Sequence, residues 1–355
     1  YKLVRQHKSE NIHSTVVSLG KLGPIGEKLN LLNVDVVALD FPRGGLPSIV
    51  GFIRFLSIIR TRKPRILQGW MYHGNIAVTI ASFFVLPRPK VYWNIRQSLG
   101  PMEYERNLTR KLIRLGVLLS RIPNAIIYNS RVSAEQHSNI GYCKKREQYI
   151  PNGFDISQFR PDKSVREKVR RNLEISDKTI LVGHIARFHP KKDHRTFFTA
   201  AKKVVDASSD VIFLAVGRDV ERENEGLWQH IEELGLQNSV ILLGEKSLVS
   251  EIYCALDLFV SSSMWGEGFS NSIGEAMATG LYCIATDVGE SKGLLGETGK
   301  IIAPGDSSGL GDEILNVTKK SSSYWKKGRA ARDRICNLYA IDKVGRAYMS
   351  LYSES

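Results

Sequence analysis

The sequence predicts an α/β protein built from two doubly wound domains with parallel sheets. Three observations point there. The chain has 355 residues, 43% of them apolar and 24% charged, enough for two domains of ordinary size, each with its own core. Short β-branched runs alternate with helical patterns along its whole length, the signature of parallel strands joined by helices. The alternation is interrupted near the middle by Ile150-Pro151-Asn152-Gly153-Phe154-Asp155, a turn-rich segment suited to a domain boundary. The same composition excludes a disordered or collagen-like chain. The longest nearly unbroken apolar stretch, Ile76 to Leu86, has eleven residues, against the ~20 needed to cross a bilayer.

In order, the first series of expected strands is Thr15–Leu19, Val34–Leu39, Arg65–Gly69, Val91–Ile95 and Ala125–Tyr128. The second is Thr179–Ile185, Val211–Val216, Val240–Leu243, Leu258–Ser261, Tyr282–Ala285 and Lys300–Ile302. Between them lie helical patterns. Arg195–Ala207 places Phe197, Phe198, Ala201, Val204 and Val205 on one face. Arg106–Ile122 carries Leu108, Leu112, Leu115, Leu119 and Ile122 on one side and Arg106, Arg110 and Arg114 on another. Ile49–Arg65 offers Ile49, Phe52, Ile53, Leu56 and Ile59 as its apolar set. The expected domains are residues 1–150 and 151–340, with 341–355 as a helix that crosses back to the first domain. Folds of this kind bind ligands at the carboxyl ends of their strands.

The charge is unevenly placed. The net charge is +14. Residues 1–150 hold 23 Lys and Arg against 8 Asp and Glu, and residues 151–355 hold 27 against 28. The excess therefore lies in the first half. Such asymmetry calls for a polyanionic partner or an anionic surface. The four cysteines, Cys143, Cys254, Cys283 and Cys336, show neither C-x-x-C nor zinc-ligand spacing. They read as reduced thiols, in keeping with a cytoplasmic protein.

Two segments of the second half carry chemistry. In the first, His184 to His194, an expected strand ends near Arg187 and a helix begins near Asp193. Arg187 and Lys192 flank the turn between them. Two cations at a strand's carboxyl end suit a diphosphate, the guanidinium through paired donors and the ammonium as a point charge. The second segment runs Glu267-Gly268-Phe269-Ser270-Asn271-Ser272-Ile273-Gly274-Glu275. Gly268 permits close approach of backbone to a ligand. Ser270, Asn271 and Ser272 are cap residues, and the free N–H groups of a helix start favour phosphate. Glu267 and Glu275 are placed to accept hydrogen bonds from sugar hydroxyls, although Glu275 also suits a helix N-terminus for electrostatic reasons alone.

With these segments the sequence resembles the retaining glycosyltransferases of family 4, of the bacterial polysaccharide and lipid-linked glycan type. The resemblance spans essentially the whole chain and is strongest in Pro151–Asp155, Arg187–Lys192 and Glu267–Glu275, with support from Ala285-Thr286-Asp287-Val288-Gly289 and Pro304-Gly305-Asp306. It implies the GT-B fold, two Rossmann-like domains facing across a cleft. It also implies roles. Arg187 and Lys192 would bind the donor diphosphate. Glu275 would bind the nucleotide ribose, and Glu267 the sugar hydroxyls, with the backbone of Gly268, Phe269, Ser270, Asn271 and Ser272 around sugar and phosphates. His73, in Trp70-Met71-Tyr72-His73-Gly74, matches a histidine that the family often places beside the donor sugar. Lys246 would line the base pocket. Two departures stand out. The family's usual first strand and glycine-rich loop are not seen, so the N-terminal part of the first domain is expected to be missing. Asp193 stands where many members have glycine.

The expected reaction is transfer of a sugar from a nucleotide sugar, UDP-linked by family habit, to a saccharide or lipid-linked glycan, with retention at the anomeric carbon. No D-x-D pair is present, so no metal ligand and no separate cofactor are expected, and cations and a helix start would stabilise the leaving diphosphate. Loss of Arg187 or Lys192 should then slow turnover while changing stability little, both being expected at the surface. The basic half points to peripheral attachment at the anionic inner face of the cell membrane. Two other readings remain: a GT-B sugar-nucleotide epimerase or phosphorylase, and a nucleic-acid-binding protein. The second lacks any recognisable nucleic-acid motif, so no nucleic-acid partner is expected.

Overall fold

The computed structural model describes residues 1–41, 49–208, 210–319 and 321–354. These form two compact units, Tyr1–Gly153 with Ile341–Ser355, and Phe154–Ala340. Each is a parallel α/β unit.

The first unit contains β1 (Thr15–Ser18), β2 (Asp35–Ala38), β3 (Ile66–Trp70), β4 (Lys90–Ile95), β5 (Ala125–Tyr128) and β6 (Glu147–Tyr149). They fall into two sheets. β1 and β2 pair with each other, and β3-β4-β5-β6 form a second, all-parallel sheet. Strands buried on both faces read as continuous apolar runs, and Ala125–Tyr128 is buried at every position. β6 is short and polar, a strand at the edge of its sheet. The C-terminal helix, Ile341–Glu354, belongs to this unit. Tyr348 fixes it there. Its hydroxyl donates to Asn94 Oδ1 at 2.7 Å and accepts from Arg96, which also donates to the Ile150 carbonyl at 2.9 Å.

Two helices present their faces differently from the sequence expectation. In Asn107–Leu119 the buried residues are Ile113 and Gly116, while Leu115 and Leu118 are exposed. The cause is Tyr142. Its hydroxyl donates to the Ile113 carbonyl at 3.1 Å, and it lies so close to Gly116 that a Cβ there would come within 2.1 Å of its oxygen. In Ile49–Arg62 the buried stripe is Gly51, Phe55, Leu56 and Ile59, leaving Ile49 and Ile53 exposed.

The second unit contains β7 (Ile180–Ile185), β8 (Val211–Val216), β9 (Val240–Leu242), β10 (Leu258–Ser261), β11 (Tyr282–Thr286) and β12 (Lys300–Ile302). Their order is β12-β11-β10-β7-β8-β9, all parallel. The order reverses between β7 and β10, so this sheet has its topological switch point there. The crevice at the carboxyl ends of those two strands is where such sheets bind ligands. Helices cover both faces. Phe197, Phe198, Ala201 and Val204 of the helix His194–Ala207 are fully buried in one core, and Ile273, Ala276 and Met277 in the other.

Candidate functional site

The two chemical segments leave adjacent strands at the switch point. After β7 the chain passes Arg187 and enters a short 3-10 turn, Pro190–Lys192. After β10 it runs through Ser262 to Ser270 into the helix Asn271–Ala278. The loops are tied together. Met264 N–H donates to the Lys191 carbonyl at 2.8 Å, and Ser262 Oγ donates to the Lys192 and Asp193 carbonyls at 3.0 and 2.9 Å. The result holds Lys192 against Glu267. Their side chains form an ion pair, with 23% and 15% of their surfaces exposed. Ser263 Oγ adds a hydrogen bond to the same carboxylate oxygen at 3.0 Å. Lys192 is therefore not the loosely held surface cation that the sequence led us to expect, whereas Arg187 is exposed.

Backbone conformation explains the departure at Asp193. Its φ of +45° lies in the left-handed region, where glycine is unstrained and Asp is tolerated. Its carboxylate compensates by accepting from Thr196 N–H at 3.2 Å, capping the following helix. Gly289 is held more strictly. It has φ +59°, and a Cβ would lie 2.0 Å from the Glu267 carbonyl oxygen. Next to it, Glu290 N–H donates to the Gly268 carbonyl at 2.9 Å. The turn after β11 thus braces the Glu267–Gly268 loop from behind.

The cations of the first loop have no ionised imidazole among them. His184 is driven well below the usual histidine pKa, first by burial and then by His194. Burial lowers His194 to about 4. The two rings stack edge to face at 4.7 Å beneath the turn. His189 is lowered by burial and by the charges of Arg187, Lys191 and Lys192. A group that resists protonation because of its neighbours marks a positive local potential, the property that an anion site requires.

The other expected residues are dispersed as follows. Glu275 sits one turn inside the helix Asn271–Ala278, its carboxylate accepting from Tyr253 Oη at 3.5 Å. Ser270 precedes that helix, and its hydroxyl meets Ser272 Oγ at 3.3 Å rather than capping a backbone N–H. Gly268 is buried, Asn271 exposed and Ser272 half-buried. Phe269 points into the core, against Phe154 and Tyr339, so only its backbone is at the loop. Lys246 is exposed in the segment after β9. His73 lies in the first unit, in the opening turn of the helix Met71–Ser82, where partial burial lowers its pKa. A sharp turn places it. Met71 has φ +60°, and a Cβ on Gly69 would come 2.5 Å from the Asn75 backbone. A non-glycine residue in that region is strained. Ser262 and Ser263 were not singled out in the sequence, and Gly289 was noted only within Ala285–Gly289, without a role. Only the position of the two serines, between β10 and the Glu267–Glu275 segment, marks them.

Fold and switch-point geometry define the class: two parallel α/β units of the GT-B fold. The structure of Anabaena HepE with UDP and glucose superposes with a TM-score of 0.88 over 100% of this chain and 95% of that one, at 22% identity. Residues 179–320, which hold both loops, match the family Glycosyl transferases group 1. Among curated proteins, the chain is 28% identical over 211 residues to the Escherichia coli UDP-Gal:alpha-D-GlcNAc-diphosphoundecaprenol alpha-1,3-galactosyltransferase, covering 57% of this chain and 54% of the relative. It is 28% identical over 323 residues to the lipopolysaccharide core biosynthesis mannosyltransferase LpsB of Rhizobium meliloti, covering 87% and 86%. The alignments thus range from about half to most of the relatives' lengths.

Proposed function

We propose that the protein is a family 4 retaining glycosyltransferase that moves a sugar from a UDP-linked donor to a saccharide or lipid-linked glycan in cell-surface polysaccharide synthesis. The observation that carries this is the Lys192–Glu267 pair at the β7/β10 crevice, beside exposed Arg187 and the start of the Asn271–Ala278 helix. In this reading the donor diphosphate competes with Glu267 for Lys192. Release of the carboxylate frees it to accept hydrogen bonds from the donor sugar. Arg187, Lys192 and the helix N–H groups then stabilise the charge that develops on the leaving diphosphate. The acceptor hydroxyl attacks from the face the diphosphate leaves, a phosphate oxygen takes its proton, and the anomeric configuration is kept. Glu275 would hold the ribose. The acceptor names of the relatives above support a glycan acceptor.

The acceptor would be met at an anionic membrane surface. Among the described residues no helix is long and apolar enough to cross a membrane. The first unit exposes Ile49, Ile53, Phe83, Phe84 and Leu86. Phe52 meets the Phe84 ring edge-on at 6.3 Å, which joins the two parts of this patch. Arg60 donates to the Phe84 carbonyl at 3.1 Å, and Arg88 covers the Phe83 ring at 4.3 Å. An apolar patch fringed by arginines suits insertion at lipid headgroups, each nearby cation adding ~1 kcal/mol.

The test is a thermal-shift panel of UDP, GDP and ADP sugars, followed by NMR of the product. UDP-sugar binding and an axial product anomer from an axial donor are expected. Isomerised donor, phosphorolysis or an inverted anomer would overturn the reading. Arg187→Ala and Lys192→Ala should each lower turnover about 10²-fold.

A further inference from the structure

A buried tyrosine stands behind the helix Asn271–Ala278. Tyr253 lies in the short helix Val249–Ala255 and has no exposed surface. Its ring is wedged between Phe159, edge to face at 5.9 Å, and Phe259, tilted at 5.7 Å. From that position its hydroxyl donates to the Ser272 carbonyl at 3.2 Å and to Glu275 Oε2 at 3.5 Å. Both acceptors belong to one turn of the same helix. Phenylalanine would fill the same space, so packing alone does not call for the oxygen.

The direction of these bonds is fixed. Burial, and then the charge of Glu275, hold the Tyr253 pKa well above the usual tyrosine value. The hydroxyl therefore stays protonated and has one proton to give, while an ionised Glu275 can only accept. Sharing one proton between two acceptors makes both distances long. Helix geometry aims the carboxylate. Side chains lean toward the amino end of their helix, so Glu275 leans back over Ser272, its neighbour on the same face. These two are half-buried, whereas Ile273, Gly274, Ala276 and Met277 are buried. The accessible strip thus runs from Glu275 past Ser272 to the helix start at the β7/β10 crevice. Gly274 lets the helix rest directly on the Phe154 ring, where a Cβ would clash. Helix and tyrosine ring are both held by packing, and the Glu275 side chain is what remains to be oriented.

We propose that Tyr253 is a positioning residue for the ribose of the donor nucleotide. Its hydroxyl holds Glu275 Oε2 from behind and so turns Oε1 toward the crevice, where the carboxylate accepts from a vicinal diol. A side chain oriented before binding loses less freedom when the ligand arrives. Being fully buried, Tyr253 itself touches no ligand. The proposal rests on Glu275 as the ribose-holding group, and adds the residue that orients it and the diol that it selects.

The test compares two ligands, UDP and 2′,3′-dideoxy-UDP, by calorimetric titration of the unaltered protein and of Tyr253→Phe. The substitution removes one oxygen and keeps the ring. UDP binding should weaken about fivefold, the size of one net hydrogen bond. The dideoxy nucleotide keeps base and diphosphate but lacks the diol. Its binding should change less than about twofold, which also shows that the variant is folded. In a Glu275→Ala background, Tyr253→Phe should no longer affect UDP. A purely structural tyrosine would weaken both ligands alike, and that result overturns the proposal. It is equally overturned if Tyr253→Phe leaves UDP binding unchanged, or if its effect persists without Glu275. An unaltered protein that binds no UDP would remove the UDP-donor reading first, and the proposal with it.

Discussion

Breaking the Lys192–Glu267 pair is the sharpest probe of the site, because the sequence alone gave no reason to expect a stability effect. An exposed ion pair is worth at most ~1 kcal/mol, whereas stranding one partner of a fully buried pair costs ~3–5 kcal/mol. With side chains 23% and 15% exposed, this pair lies between those limits. Lys192→Ala takes the ammonium from the Glu267 carboxylate while the Ser263 hydroxyl still donates to it, and should cost about 2 kcal/mol. Glu267→Gln strands a more exposed ammonium and should cost about 1–2 kcal/mol. The double variant should cost less than the two singles together, with a coupling of about 1–2 kcal/mol. Urea unfolding followed at Trp265, two residues from Glu267, reads the second unit. With a slope of about 2 kcal/mol/M, Lys192→Ala should lower the midpoint by about 1 M. Saturating UDP should shrink the coupling, because the diphosphate then takes Lys192. Strictly additive single variants would refute the pairing. A coupling untouched by UDP would refute the exchange of partners.

Two further outcomes follow from conformation and burial. Gly289→Ala should destabilise by at least ~2 kcal/mol, combining a left-handed φ with a backbone clash against Glu267. Gly235→Ala, with φ +66° and open space around it, should cost only about 1 kcal/mol, and equal losses by thermal unfolding would argue against the bracing turn. Acid should weaken both units. His137 and His194 are each lowered by burial from 6.5 to about 4, so the folded state resists a proton that the unfolded chain accepts. That contribution is complete above pH 6.5 and is lost as pH falls toward 4. Each costs about 2 kcal/mol between pH 6.5 and 5. Replacing either with Gln should flatten the slope of stability against pH in that window, and an unchanged slope would count against the burial.

Much of the architecture was legible because parallel strands buried on both faces announce themselves as apolar runs. Ala125–Tyr128, Val211–Val216 and Leu258–Ser261 have the expected ends, and so does the partly exposed edge strand Lys300–Ile302. Glu147–Tyr149 was missed, since a short polar edge strand carries no such signal. Helix faces were misread where the apolar stripe is wider than the surface that packs, as at Leu115 and Ile53. The two site loops were recognisable by their residue types, but their contact was not. Lys192 and Glu267 are 75 positions apart, and only the reversal of strand order makes their loops neighbours. The tight turn at Met71 was equally hidden, because methionine gives no hint of a positive φ.

The first unit is interrupted in the chain by the whole of the second. Its helix Ile341–Glu354, anchored through Tyr348 to Asn94 and Arg96, is synthesised only after the whole of the second unit. Residues 154–340 are made in between, which at 5–20 residues per second takes about 10–40 s. During translation the first unit is therefore completed only after the second has been made. For that interval the nascent chain holds an unfinished apolar surface where Val344 and Tyr348 will pack, a window in which a chaperone has most to protect.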